Sequence, residues 1–312
     1  MKCRALLCSC LAVMLSAGTV SARGQPAAPN PQASVGDVQL TPPEIEIYRK
    51  APTLIDWTPR QVKDTLPKLR PAENQDQLTM ILERAGQSVS ALLLNFPSVS
   101  CDEEVTTGVW QRQGRVEDRS HHKFRYIVIP HPEDTVPTFE EYRTDVKGNP
   151  IDKVKLRHLP LMTYNFVSTV LLLSPSDQRE TRFRYFGTQT MRDRECHVVG
   201  FAQDPDKAHR VSNFSCLGKK CALLLQGLAW VDSGTFDILR INTWLLAPRL
   251  DTGLGAQFSQ VEFYPTTVGE SEKVLWLPRD VSVTVICRGI PARNTHHYTN
   301  FKLFRVESTI KP

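Results

Sequence analysis

The chain has 312 residues, a formal charge of +5, 41% hydrophobic and 23% charged side chains, 22 prolines and eight cysteines. That balance excludes an intrinsically disordered chain and a dense disulfide scaffold, and the alternation of cations with acids, as in Arg192-Asp193-Arg194-Glu195, excludes a nucleic-acid surface. Beyond the N-terminal segment no apolar run reaches the roughly 18 residues a membrane helix needs, so no transmembrane helix is expected in the mature chain.

Lys2 and Arg4 precede an apolar run from Ala5 to Leu15, and small residues follow it to Val20-Ser21-Ala22. This order of charged, apolar and small residues reads as a cleaved export signal over 1–22, which sends the chain to the periplasm or outside the cell. Residues 23–44 are rich in Pro, Ala and Gln and read as a disordered tether, leaving 45–312 as a single domain. Export exposes the cysteines at 101, 196, 216, 221 and 287 to oxidation, an odd number. Cys216 and Cys221 flank Leu-Gly-Lys-Lys, a loop short enough for a local disulfide. A zinc reading of the same pair lacks a second pair of ligands.

Thr58-Pro59 has the form of a helix cap followed by a first-turn proline, with Pro67 ending the helix. Leu78, Ile81, Leu82, Ala85, Val89, Leu92, Leu93 and Phe96 recur at steps of three and four, predicting an amphipathic helix over 74–95, with Asn74 and Gln77 as its capping box. After Pro97 the period changes to two. Val99, Cys101, Val105 and Val109 alternate with polar residues, and strands are expected there, at 124–129 and at 139–144. A second helix is expected over 161–173, apolar on nearly every side and stopped by Ser174-Pro175. Thirteen residues are too few to span a bilayer, so protein or ligand must bury it. Strands then follow in series: 181–190 with 196–203 as a hairpin, 226–231 with 236–246 as another, then 257–264, 274–277, 281–287 and 298–310. Short turns between successive strands require antiparallel neighbours, because parallel ones need long crossovers. The expected fold is α+β, mainly antiparallel β: a strongly curved half-barrel or open barrel with one or two helices in or across its concave face.

Gly227-Leu-Ala-Trp-Val-Asp-Ser-Gly-Thr-Phe-Asp-Ile-Leu-Arg240 is a hairpin with an aromatic and an Asp before its turn and an Arg after it. In this hairpin, and in its order of export segment, tether, helix and strand meander, the chain resembles the LolA-like, outer-membrane lipoprotein-sorting group of bacterial periplasmic half-barrels. The resemblance covers 227–240 closely and 75–312 loosely, and it departs from the group in length. It implies a hollow that accepts an acyl chain or an apolar partner segment.

Leu228 and Trp230 share one face of the first hairpin strand, and Phe236, Ile238 and Trp244 are read as sharing a face of the second, with Arg240 between them. With Phe166 and Val170 of the second helix, these are the candidate ligand-binding residues, and ordinary core is the competing reading. No nucleophile elbow, phosphate loop or dinucleotide fingerprint is present, and no catalytic residue, cofactor or metal is assigned. The histidine pairs 121–122 and 296–297 lie in strands, where neighbours point to opposite faces, and the same alternation separates Glu103 from Asp102 and Glu104. The expected function is a non-enzymatic exported protein holding a lipid or apolar segment. An envelope structural or sensor protein that binds another envelope protein is the alternative, and an exported hydrolase the third reading.

Overall fold

The computed structural model describes residues 40–110, 116–131, 138–151, 166–209, 211–216, 219–269 and 274–304. The export segment at 1–22, the tether up to residue 39 and residues 161–165 of the expected second helix lie outside them.

Thirteen strands are present among the described residues. They are β1 (Arg70–Pro71), β2 (Val99–Trp110), β3 (Val116–His131), β4 (Thr138–Thr144), β5 (Thr181–Met191), β6 (Arg194–Gln203), β7 (Ser212–Cys216), β8 (Lys219–Leu223), β9 (Leu225–Asp232), β10 (Ile238–Leu245), β11 (Leu254–Thr267), β12 (Val274–Cys287) and β13 (Ile290–Leu303). Eleven of them form one sheet in the order β1-β5-β6-β9-β10-β11-β12-β13-β2-β3-β4, and β7 and β8 stand apart as a hairpin. Every pairing is antiparallel, as the short turns require. The two expected strands 274–277 and 281–287 are one. Pro278 removes a donor, and the ladder with β11 absorbs it by a register shift beside Phe263, so β12 continues through the proline.

Curvature follows from a length mismatch. The 3-10 helix Val167–Leu173 touches both β10 and β4, which are six places apart in the sheet order. Six strand spacings laid flat cover about 29 Å, whereas seven residues of 3-10 helix are about 14 Å long. The sheet must therefore wrap around the helix. Its end strands β1 and β4 do not meet, so the half-barrel stays open.

The helices are α1 (Pro42–Arg49), α2 (Pro59–Thr65), α3 (Leu78–Asn95) and α4 (Pro175–Gln178). α1 begins inside the segment read as tether. The Thr41 N–H donates to Glu44 at 2.9 Å, and buried Arg249 holds Glu44 at 2.8 Å and the Ala222 carbonyl at 2.8 Å, so α1 is docked at both backbone and side chain. Thr58 caps α2 in a reciprocal box with Gln61. α3 starts at Leu78 rather than 74, because the Asn74 carboxamide accepts from the Asp76 N–H in a local turn and leaves the helix uncapped. The described part of the second helix is 3-10, not α. Ser174 stops it and caps α4 by accepting from the Asp177 N–H.

Two layers of core result. On the concave face, α3 (Ile81, Ala85, Val89) and the 3-10 helix (Val170, Leu173) pack against inward residues of β2, β3, β6 and β9 to β13. On the convex face, the segment from Leu54 to Leu66 covers Val198, Leu228, Trp230 and Leu239. Gly227 marks one tight approach. A Cβ there would lie 2.0 Å from the Asn242 carbonyl and 2.6 Å from the fully buried Phe201 ring. Gly227→Ala should lower stability by about 1–3 kcal/mol, which a urea titration would detect. Unchanged stability would show that β9 and β10 have slack here.

Candidate functional site

The hairpin at 227–240 is built by its own polar residues. Asp232 accepts from the N–H groups of Gly234 at 2.9 Å and Thr235 at 2.7 Å, and from Arg194 on the neighbouring β6 at 2.5 Å. Partial burial would raise the Asp232 pKa, but the Arg194 hydrogen bond and the two amides hold it below the usual carboxylate value. After the turn, Arg240 lies over the Trp230 ring, 5.3 Å from its centroid, and reaches Glu262 on β11 at 2.6 Å. The conspicuous Asp and Arg of the segment thus clasp four strands together, β6, β9, β10 and β11.

The turn also decides which apolar residues face the hollow. The β9–β10 ladder shifts register between Ile238, opposite Val231, and Arg240, opposite Trp230. The extra residue, Leu239, reverses the alternation, so Phe236 and Ile238 face the concave core while Trp244 faces the convex one. The reading that Phe236, Ile238 and Trp244 share a face is corrected accordingly. Leu228 and Trp230 join Trp244 on the convex side, where Trp57 meets Trp244 edge-on at 6.4 Å and the Trp230 indole N–H donates to Gln189 at 2.7 Å. Phe166 and Val170 are buried in the concave core. Four of the seven candidates therefore line the interior, and three hold the N-terminal segment to the outside. The side chains of Cys216 and Cys221 lie outside those described. Cys101 and Cys196 are free, buried thiols, and Cys287 is disulfide-bonded.

Packing on the concave side leaves a cavity of about 150 Å³ between α3 and strands β10 to β12. Val89, Leu92, Val170, Ile238, Phe263 and Leu275 form its walls. It opens past Val274, which is 52% exposed, and past Ala91, Ser88 and Asp237. Two of the candidates, Val170 and Ile238, are wall residues. The α3 wall follows from its stripe, but Phe263 and Leu275 gave no separate signal in a chain full of alternating strands.

Farther around the hollow lies a charged cluster in the core. Glu103 on β2 accepts two hydrogen bonds from Arg143 on β4, at 2.5 and 2.7 Å, one from His296 Nδ1 on β13 at 2.7 Å and one from the Tyr298 hydroxyl at 3.0 Å. Glu103 and His296 side chains are 0% exposed and Arg143 is 1% exposed. The His296 Nε2 meets the Asn294 side-chain amide, and Phe166 lies against the His296 ring at 4.9 Å. Burial alone would raise the Glu103 pKa, but Arg143, with His296, pulls it down to about 2. Burial lowers His296 below its usual value, and it outweighs the opposing pull of Glu103. Asp102 and Glu104 point outward to Arg125 and Lys123, as strand alternation dictates. Beside this cluster, between Tyr126, Phe166 and Tyr298, lies a space of about 10 Å³, room for at most one water.

The histidine pairs are also split by alternation. His122 and His296 both lie opposite Val105, one on each neighbouring strand, which keeps them two strands apart. Among the described residues no three His, Cys, Asp or Glu side chains gather to hold a metal. No described helix is long and apolar enough to cross a membrane.

An open antiparallel half-barrel with helices in its concave face and an apolar pocket beside one of them is thus the class of protein that fold and site define. No protein-family model matches the sequence, and no curated protein matches it. Solved structures match it over most of both chains. A candidate outer membrane lipoprotein-sorting protein domain from Vibrio parahaemolyticus is 11% identical with a TM-score of 0.39, covering 70% of this chain and 90% of that one. A DUF1329 family protein from Desulfovibrio piger is 10% identical with a TM-score of 0.41, over 75% and 95%. A LolA superfamily protein from Nitrosomonas europaea is 8% identical with a TM-score of 0.33, over 73% and 94%. Two of the three bear the name of the group that the element order resembles, and at such identities the likeness says nothing about a shared ligand.

Proposed function

We propose that this chain is an exported, non-enzymatic binding protein that lodges the aliphatic part of a lipid-like ligand between α3 and strands β10 to β12. The observation that carries the reading is the cavity of about 150 Å³ with six apolar wall residues and an open mouth. Apolar cavities of this size accept small apolar guests, and the aliphatic walls offer water no hydrogen-bond partner below the polar mouth. A whole lipid needs a larger site, since pockets for drug-sized ligands run from about 300 Å³ upward. The pocket therefore takes one end of a chain, and the remainder lies along the mouth.

Burying four or five methylenes contributes about 0.8 kcal/mol each, which sets the dissociation constant for a short alkyl probe on the order of 1 mM. A ligand-observed NMR titration with octanol should give saturable binding of that strength, and native mass spectrometry of gently purified protein should show dissociable aliphatic adducts. Absence of both would overturn the reading.

A further inference from the structure

We propose that the pocket selects an aliphatic ligand with a cationic head and rejects the corresponding carboxylate, through Asp237 at its mouth. The inference rests on the binding reading above and adds the chemistry of the ligand's outer end.

Among the described residues that line the cavity, Asp237 is the one that carries a charge. The lining has a gradient that the sequence repeats on both sides of the opening. Half-buried Ser88 is followed by buried Val89 on α3, and half-buried Asp237 by buried Ile238 at the start of β10. An apolar chain inserted between these elements leaves its head level with Ser88 and Asp237. The Ser88 hydroxyl donates to Asp237 Oδ1 at 2.8 Å, which orients the carboxylate. Its backbone is held as well, since the Asp232 N–H donates to the Asp237 carbonyl at 2.9 Å and the Asp237 N–H donates to Thr235 Oγ1 at 3.4 Å.

Two basic side chains on adjoining elements are engaged elsewhere. Arg84 on α3 lies over the Phe236 ring, 4.7 Å from its centroid, and Arg194 on β6 bonds Asp232 at 2.5 Å while also acting on Asp237 through its charge, without a hydrogen bond to it. Among the described residues Asp237 has Ser88 as its side-chain partner and makes no ion pair within 4.0 Å. A carboxylate only accepts hydrogen bonds, and one hydroxyl leaves most of its acceptor sites open. An ammonium group supplies donors and opposite charge, whereas a second carboxylate brings neither and is repelled.

An exposed ion pair changes affinity by up to about fivefold, so attraction in one ligand and repulsion in the other together separate them by about tenfold. The test is an NMR titration of the full mature chain at pH 7.5 and low salt with octylammonium, octanol and octanoate, whose chains are identical. The expected order is octylammonium tightest and octanoate weakest, about tenfold apart. In Asp237→Asn, which keeps an oxygen to accept from Ser88, that ratio should fall to about twofold or less. Octanol binding with octanoate equal to or tighter than octylammonium, or a ratio that persists in Asp237→Asn, overturns the selectivity while leaving the pocket reading intact. Failure of all three probes to bind overturns both.

Discussion

Replacing Glu103 by Gln should lower the stability of the folded chain by about 3–5 kcal/mol, because it removes the carboxylate charge bonded twice by the buried Arg143 guanidinium. Arg143 sits 1% exposed, held by Glu103 and stacked over the Tyr126 ring at 4.8 Å from its centroid. The change removes charge from the acceptor that also holds His296 and Tyr298. The double variant Glu103→Gln/Arg143→Met should be more stable than Glu103→Gln alone, since it removes the buried charge that has lost its carboxylate and fills the space with apolar atoms. Urea unfolding followed by tryptophan fluorescence measures both. If Glu103→Gln stays within about 1 kcal/mol of the parent chain, the cluster is not a stabilising centre.

The same cluster sets the response to acid. The folded-state pKa of Glu103 is depressed to about 2 from 4.5, so its contribution is present above pH 4.5 and is lost as pH falls toward 2. A shift of that size corresponds to roughly 3 kcal/mol. His296 is also depressed, from 6.5, so the unfolded chain takes up its proton first and stability begins to fall as pH drops below 6.5. Both contributions have the same sign. The contributions of Glu103 and His296 should be full above pH 6.5 and decline below it, and Glu103→Gln should flatten the part of the curve below pH 4.5.

Ala91→Trp should weaken octanol binding by more than about tenfold with little effect on folding, because an indole at the mouth occupies the volume the ligand enters. Ala91 lies on the exposed side of α3 and borders the cavity, so the larger side chain displaces no core residue. Its cost to the helix is about 0.5 kcal/mol or less. The pairing of lost binding with preserved stability distinguishes a blocked pocket from a damaged fold. Undiminished octanol affinity would place the binding site elsewhere in the hollow.

Local chemistry made much of this structure legible. The three-and-four spacing from Leu78 to Leu93 located α3 and its buried stripe, and Thr58-Pro59 located α2. The period of two located β2 and also separated Glu103 from its neighbours, although its inward phase with Val99, Cys101 and Val105 was the only sign of a buried carboxylate. The partner was not legible. Arg143 lies 40 residues away, and pairing across β2, β3 and β4 is needed to bring it opposite. The cavity was half legible, since Val170 and Ile238 were singled out while Phe263, Leu275 and the polar mouth of Ser88 and Asp237 were not.

Sequence by itself determined where most helices and strands lie, the antiparallel sense of successive strands and the curl of a long sheet, because periodicity, turn length and strand number act locally or along the chain. The pairing of β13 with β2 came from the tertiary fold. Tertiary structure decided which faces became interior. One extra residue at Leu239 reversed the alternation of β10, sending Trp244 outward while Ile238 stayed inside, and alternation counted along the sequence carries no mark of such a shift.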